Sequence, residues 1–226
     1  MGLKSSLRSA IRKHWFDKRR FRYHFIHIPK NGGVSVRHAL ELQPDVSLST
    51  PYHYRYVDIA DEVGRQLMFF SVVRNPWSRT ASRYHFGQQS ARKWPETDPR
   101  RQYLAKATFA DFVRDQRILP IPEHPDQPWM GPLSSWFNQL EWLRDESGRV
   151  VTDCLRLENL AHDLSVYLAR PITLVDKNVT ETRYDYRAMY DDALAEIVAQ
   201  TFRDDIEHFG FSFDGPATRN LAAAVA

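Results

Sequence analysis

Residues 25–35 read Phe-Ile-His-Ile-Pro-Lys-Asn-Gly-Gly-Val-Ser. Phe25 to Ile28 form a short apolar strand, Pro29 to Gly33 a turn, and a helix is expected from about Val34 to Leu42. Strand, glycine turn and helix is the arrangement by which α/β proteins hold anions. The glycines let backbone N–H groups point inward, the helix N-terminus adds a partial positive charge, and Lys30 adds a full one. The ligand expected here is a phosphate or a sulfate. A Walker A loop carries its lysine after the last glycine, whereas Lys30 precedes Gly32 and Gly33, so this turn is not one. An ordinary strand-turn-helix with an exposed lysine shares the pattern, so the rest of the chain has to decide.

A second segment bears on it. Leu67 to Val73 (Leu-Met-Phe-Phe-Ser-Val-Val) is a nearly unbroken apolar run, the pattern of a strand buried on both faces of a parallel sheet. Asn75 is suited to cap the next helix and Pro76 to its first turn. Arg74 therefore ends a central strand, where open α/β sheets bind their ligands, and Ser82 follows eight residues along the helix. A guanidinium offers several fixed donors and a permanent charge, which suits phosphate. The competing reading makes Arg74 and Arg79 helix-end surface charges.

The two motifs together resemble sulfotransferases that use 3′-phosphoadenosine-5′-phosphosulfate (PAPS). Their 5′-phosphosulfate loop usually reads Pro-Lys-Thr-Gly-Gly-Thr-Ser; here Asn31 and Val34 stand for the two threonines, while Lys30, both glycines and Ser35 are kept. Arg74-Asn-Pro-x-x-Arg79-x-x-Ser82 is similar to their 3′-phosphate motif, in which the first arginine and the last serine make the contacts. Val151 to Asn159 looks like the later strand that ends in Arg-x-Glu, Asp176 to Arg183 like the loop that closes over the nucleotide, and Tyr190 to Phe213 like the C-terminal pattern. The likeness runs from about residue 23 to 214, with 87–132 not diagnostic. It implies a three-layer α/β/α sandwich with a central parallel sheet, related to nucleotide kinases. It implies PAPS as co-substrate, with no metal required. The 5′ end would be held by Lys30, Asn31, Gly32, Gly33, Val34 and Ser35, and the 3′-phosphate by Arg74 and Ser82. Lys177, Thr180 and Arg183 would reach the nucleotide from the closing loop.

Sulfuryl transfer to a hydroxyl asks the protein to align both partners and to stabilise charge on the leaving phosphate, by analogy with phosphoryl transfer. Lys30 suits the second task, and a histidine suits removal of the acceptor proton near neutral pH. His53 is the first candidate, because residues 53–60 resemble a segment of heparan sulfate 2-O-sulfotransferases that begins at a catalytic histidine. Pro51 departs from that segment, which has a histidine at its position. His27 is the second candidate and Glu62 a distant third. Arg55, Arg83, His85, Arg92 and Lys93 could line an acceptor groove, and one that basic would suit an anionic glycan; a solvated basic face would look the same. The expected acceptor is a hydroxyl on a glycan, with no nucleic-acid partner. The alternatives are an ATP-dependent kinase or NTPase and a non-enzymatic basic module. The first lacks a Walker lysine and has Arg74, not aspartate, at its strand end. The second would bind membrane or nucleic acid through its N-terminus.

Composition fits one globular domain: 226 residues, 42% hydrophobic and 26% charged, are enough for a single core. The net charge of +3 is uneven, with residues 1–22 carrying +7. Leu3, Leu7, Ile11 and Trp15 recur every four residues, so a basic amphipathic helix is expected there, packed on the domain or resting on an anionic membrane. Residues 1–22 lack the apolar core of a secretory signal, no apolar run reaches a membrane span, and a cytoplasmic enzyme is expected. Cys154, the only cysteine, reads as a buried structural thiol. The domain is expected over 23–214 and a frayed tail over 215–226. Further elements are expected as helices at 55–64, 76–90, 108–115, 134–139, 158–168 and 187–208 and strands at 67–74, 140–144 and 150–157. Proline-rich loops are expected at 91–101 and 119–132.

Overall fold

The computed structural model describes residues 20–49, 53–115, 137–174 and 184–225. Four short strands make its sheet: Tyr23–Ile26 (β1), Val46–Leu48 (β2), Met68–Val73 (β3) and Asp153–Arg156 (β4). They lie in the order β2-β1-β3-β4, and every pair is parallel. Parallel neighbours cannot be joined by tight turns, so the chain crosses over through helices. These are Gly33–Leu40 (α1), Tyr56–Val63 (α2), Pro76–Ala91 (α3), Pro99–Leu104 (α4), Phe109–Asp115 (α5), Leu160–Tyr167 (α6), Asp192–Thr201 (α7) and Arg203–Phe209 (α8).

The strands are apolar on both sides because helices cover both faces. On one face Tyr23, Phe25, Phe70, Val72 and Leu155 pack against Val36 and Leu40 of α1 and Leu160, Leu164 and Tyr167 of α6. On the other, Ile26, Phe69, Val73 and Cys154 meet Ile59 and Val63 of α2, Trp77 and Ala81 of α3, and Leu194 and Val198 of α7. The architecture is thus α/β, with a parallel sheet between helices. Among the described residues no helix is long and apolar enough to cross a membrane.

The order positions the site. From β1 the chain moves to β2 on one side, then returns to β3 on the other. Connections leaving β1 and β3 therefore diverge at the carboxyl ends of these two strands, the switch point at which open α/β sheets bind ligands. Residues 27–32 and 74–75 occupy those ends.

Several expected elements are different in the structure. The strand expected at 140–144 is a 3₁₀ turn, Gln139–Trp142, because Asp205 accepts the backbone N–H groups of Gln139 and Leu140 and holds them in a turn. The long helix at 187–208 is three pieces: a 3₁₀ turn at Arg187–Met189, α7 capped by Asp191, and α8, with Phe202 buried at the last junction. Strand β2 and helix α4 fall where no element was expected; β2 is three residues long, and α4 starts at a capping Asp98 followed by Pro99. The tail does not fray. Ala217, Ala222 and Val225 are buried, Ala222 N–H bonds to the Cys154 carbonyl, and Arg156 donates to the Val225 carbonyl. The expected N-terminal helix lies outside the described residues, as do residues 134–136 of the helix expected at 134–139; 137 and 138 are not helical.

His24 sits on β1 with no exposure, its ring nitrogens bonded to the hydroxyls of Ser47 (3.0 Å) and Ser49 (3.0 Å). Burial, helped by Arg37, lowers its pKa from 6.5 to about 3. The unfolded chain therefore takes up a proton that the folded chain resists, and stability is lost as pH falls below 6.5. The melting temperature is expected to drop between pH 7 and 4, with a shallower slope in His24→Gln; equal slopes in a pH series of melting curves would show that His24 carries none of it.

Candidate functional site

The loop after β1 is shaped by two left-handed residues. Lys30 has a φ of 69° and Gly32 of 70°. The lysine conformation is costly for a side chain with a Cβ, by about 1–2 kcal/mol, and is held from outside. Arg74 Nη1 donates to the Lys30 carbonyl at 3.0 Å, and Arg79 Nε to the Pro29 carbonyl at 3.2 Å. Gly33 opens α1 directly beneath the His27 ring: a Cβ there would lie 1.7 Å from His27 Nε2. Asn31 is buried and its side chain faces inward, with Nδ2 donating to the Val72 carbonyl (2.6 Å) and to Gln139 Oε1 (2.7 Å). Its Oδ1 accepts no hydrogen bond among the described residues. Val34 is exposed and Ser35 half-buried in the first turn of α1.

Arg74 leaves β3 beside this loop. Its Nε and Nη2 donate to Ser78 Oγ at 3.0 and 2.8 Å, one helical turn on. Ser82, the serine singled out in the sequence, is buried further along α3, and Ser78 was not singled out. Arg79 is 1% exposed, donates to the Phe137 carbonyl (3.0 Å) and leaves Nη2 without a hydrogen bond among the described residues. Burial lowers its pKa to about 10 against the pull of Asp205. Arg83 is also buried and pushed down by burial and by Arg79. Lys30 completes the cluster: burial, with Arg74 and Arg83 nearby, lowers its ammonium to about 7. Among the described residues it makes no ion pair with a carboxylate; its Nζ lies 3.8 Å from the Phe86 ring centroid. So much desolvated positive charge at one strand-end switch point is suited to a polyanion.

The histidines face the same loop. His53 Nδ1 bonds to the His27 carbonyl at 3.0 Å, and the rings are 4.4 Å apart. A carbonyl only accepts, so Nδ1 carries the proton and the lone pair of the neutral ring is on Nε2. Burial lowers the pKa of both, and their mutual proximity and Lys30 push His27 down further. Both are therefore neutral at pH 7.

Other expected residues are placed elsewhere. Glu62 is exposed on α2, and Arg55 is bonded to Asp58 at 3.0 Å, capping that helix. Arg92 ends α3 beside a cavity of about 240 Å³ shared with Gln88 and Arg101. His85 stacks on Tyr184 (4.0 Å), whose hydroxyl is beside Arg74. Lys177, Thr180 and Arg183 lie outside the described residues. The sequence reading missed Gln139, which brackets Arg74 by accepting from its N–H (2.9 Å) and donating to its carbonyl (3.0 Å). A glutamine in an unremarkable segment gives no local signal of such a role.

Comparisons with protein-family models, with curated proteins and with solved structures found no match.

Because His27 fills the space above Gly33, Gly33→Ala is expected to cost about 1–3 kcal/mol through overpacking. The cost should shrink in a His27→Ala background; a denaturation double-mutant cycle with additive effects would contradict the contact.

Proposed function

We propose that the protein is a PAPS-dependent sulfotransferase of the carbohydrate type, a three-layer α/β/α sandwich related to nucleotide kinases. The observation that carries this reading is the meeting of Lys30 and Arg74. They come from distant segments, yet lie at the carboxyl ends of adjacent parallel strands at the switch point, joined by the bond from Arg74 Nη1 to the Lys30 carbonyl. The likeness seen in the sequence assigns one to the 5′-phosphosulfate and the other to the 3′-phosphate. Four buried or part-buried cations at one switch point, Lys30, Arg74, Arg79 and Arg83, fit such a polyanionic co-substrate, and the reading requires no metal.

The co-substrate supplies an activated sulfuryl group whose bond to the 5′-phosphate oxygen breaks as the acceptor oxygen attacks sulfur in line. His53 takes the acceptor proton at Nε2, the nitrogen left basic by its bond to the His27 carbonyl. His27 fixes that ring and shields the glycine turn. Lys30 and the N–H groups of residues 31–35 stabilise the leaving phosphate, and Arg74 anchors the other end of the nucleotide. The acceptor belongs to the class of glycan hydroxyls.

Adenosine 3′,5′-bisphosphate at 100 times its dissociation constant is expected to stabilise the protein by about 2.7 kcal/mol. ATP and AMP should do less, and Arg74→Ala should lose the effect. A thermal-shift titration reads this directly, and a larger shift with ATP would favour a kinase instead.

With PAPS and an acceptor, His53→Ala is expected to lower kcat about 10²–10⁴-fold. The acid limb of the wild-type pH–rate profile should lie below pH 6.5, since burial lowers the His53 pKa from that value. A limb above pH 6.5, or an unchanged kcat in His53→Ala, would remove His53 from the base role.

A further inference from the structure

Phe86 is 52% exposed, an uncommon state for a phenyl ring on a helix whose other apolar residues, Trp77 and Ala81, face the core. It stands on α3 three residues after the buried Arg83, and its ring face meets the Lys30 ammonium at 3.8 Å. That distance is well inside the range of cation–π attraction. The ammonium stands near two guanidinium groups, those of Arg74 and Arg83, which repel it. The Lys30 carbonyl is pinned by Arg74, so the backbone is fixed and any rearrangement of the ammonium falls to the four-carbon stem.

We propose that Phe86 is a positioning residue for Lys30: its ring face holds the ammonium at the mouth of the loop until a phosphate or sulfate oxygen draws it in. This rests on reading the loop as an anion site. A charge-assisted hydrogen bond to phosphate is stronger than contact with a phenyl face, so an arriving anion wins the lysine. Without an anion, the ring keeps the charged group from collapsing onto the carbonyls of its own turn. An exposed ring can do this at little cost to the core.

The test uses the full chain, reductively methylated with ¹³C-formaldehyde and observed at about pH 6, below the Lys30 pKa of about 7, so that the amine is charged; Lys30→Arg identifies the Lys30 resonance. In wild type this resonance is expected upfield of exposed lysines through the ring current of Phe86. It should move to the ordinary position in Phe86→Leu and stay upfield in Phe86→Tyr. Excess pyrophosphate or adenosine 3′,5′-bisphosphate should abolish the upfield shift in wild type. An unshifted wild-type resonance, or one unchanged in Phe86→Leu, overturns the proposal, as does an upfield shift that persists with both anions in excess. If pyrophosphate moves the resonance while the bisphosphate neither moves it nor stabilises the fold, the positioning role stands and the nucleotide reading fails.

Discussion

A carboxylate with no solvent exposure needs donors, and Asp205 takes three: the N–H groups of Gln139 and Leu140 and the side-chain amide of Gln139. That arrangement fixes Gln139, which brackets the backbone of Arg74 and accepts from Asn31. The ends of β1 and β3 are thereby tied to each other and to α8 through a buried polar network in which a missing partner leaves a desolvated group unpaired. Arg79 lies in the same region and bonds to the Pro29 carbonyl, so the loop that carries Lys30 is braced from beneath. Asn75 extends the brace. It caps α3 through its side-chain oxygen and donates through its amide to the carbonyls of Ser212, Phe213 and Gly215.

The positive charge above this brace works against folding. Burial lowers the pKa of Arg74, Arg79, Arg83 and Lys30, which means that the charged forms are held at a cost. Arg156, by contrast, makes a bidentate pair with the fully buried Asp163. The contrast separates the arginine at the end of β4, neutralised by a carboxylate, from the one at the end of β3, whose side chain bonds to the Ser78 hydroxyl and the Lys30 carbonyl and lies beside the Tyr184 hydroxyl. Like charges buried together lower stability unless an opposite charge joins them.

The strands β1 and β3, the glycine turn and the start of α3 were legible because each is written in local chemistry: apolar runs, glycine, an asparagine before a proline. The cap by Asn75 and the burial of Cys154 follow the same local rules. The short β2 was not legible, because an edge strand of three residues, Val-Ser-Leu, carries too little periodicity. The 3₁₀ turn at Gln139 and the packed C-terminal tail were not legible either; their partners are Asp205, Cys154 and Arg156, all distant in the chain.

By itself the sequence determined an α/β chain with a lysine-bearing glycine turn and a strand-end arginine, since period, propensity and loop chemistry act over a few residues. Only the tertiary structure decided that Asn31 turns inward, that Ser78 receives Arg74, that His53 carries its proton on Nδ1, and that Phe86 meets Lys30. These are contacts between side chains brought together by parallel strand order, and their energies depend on burial, which no local pattern records.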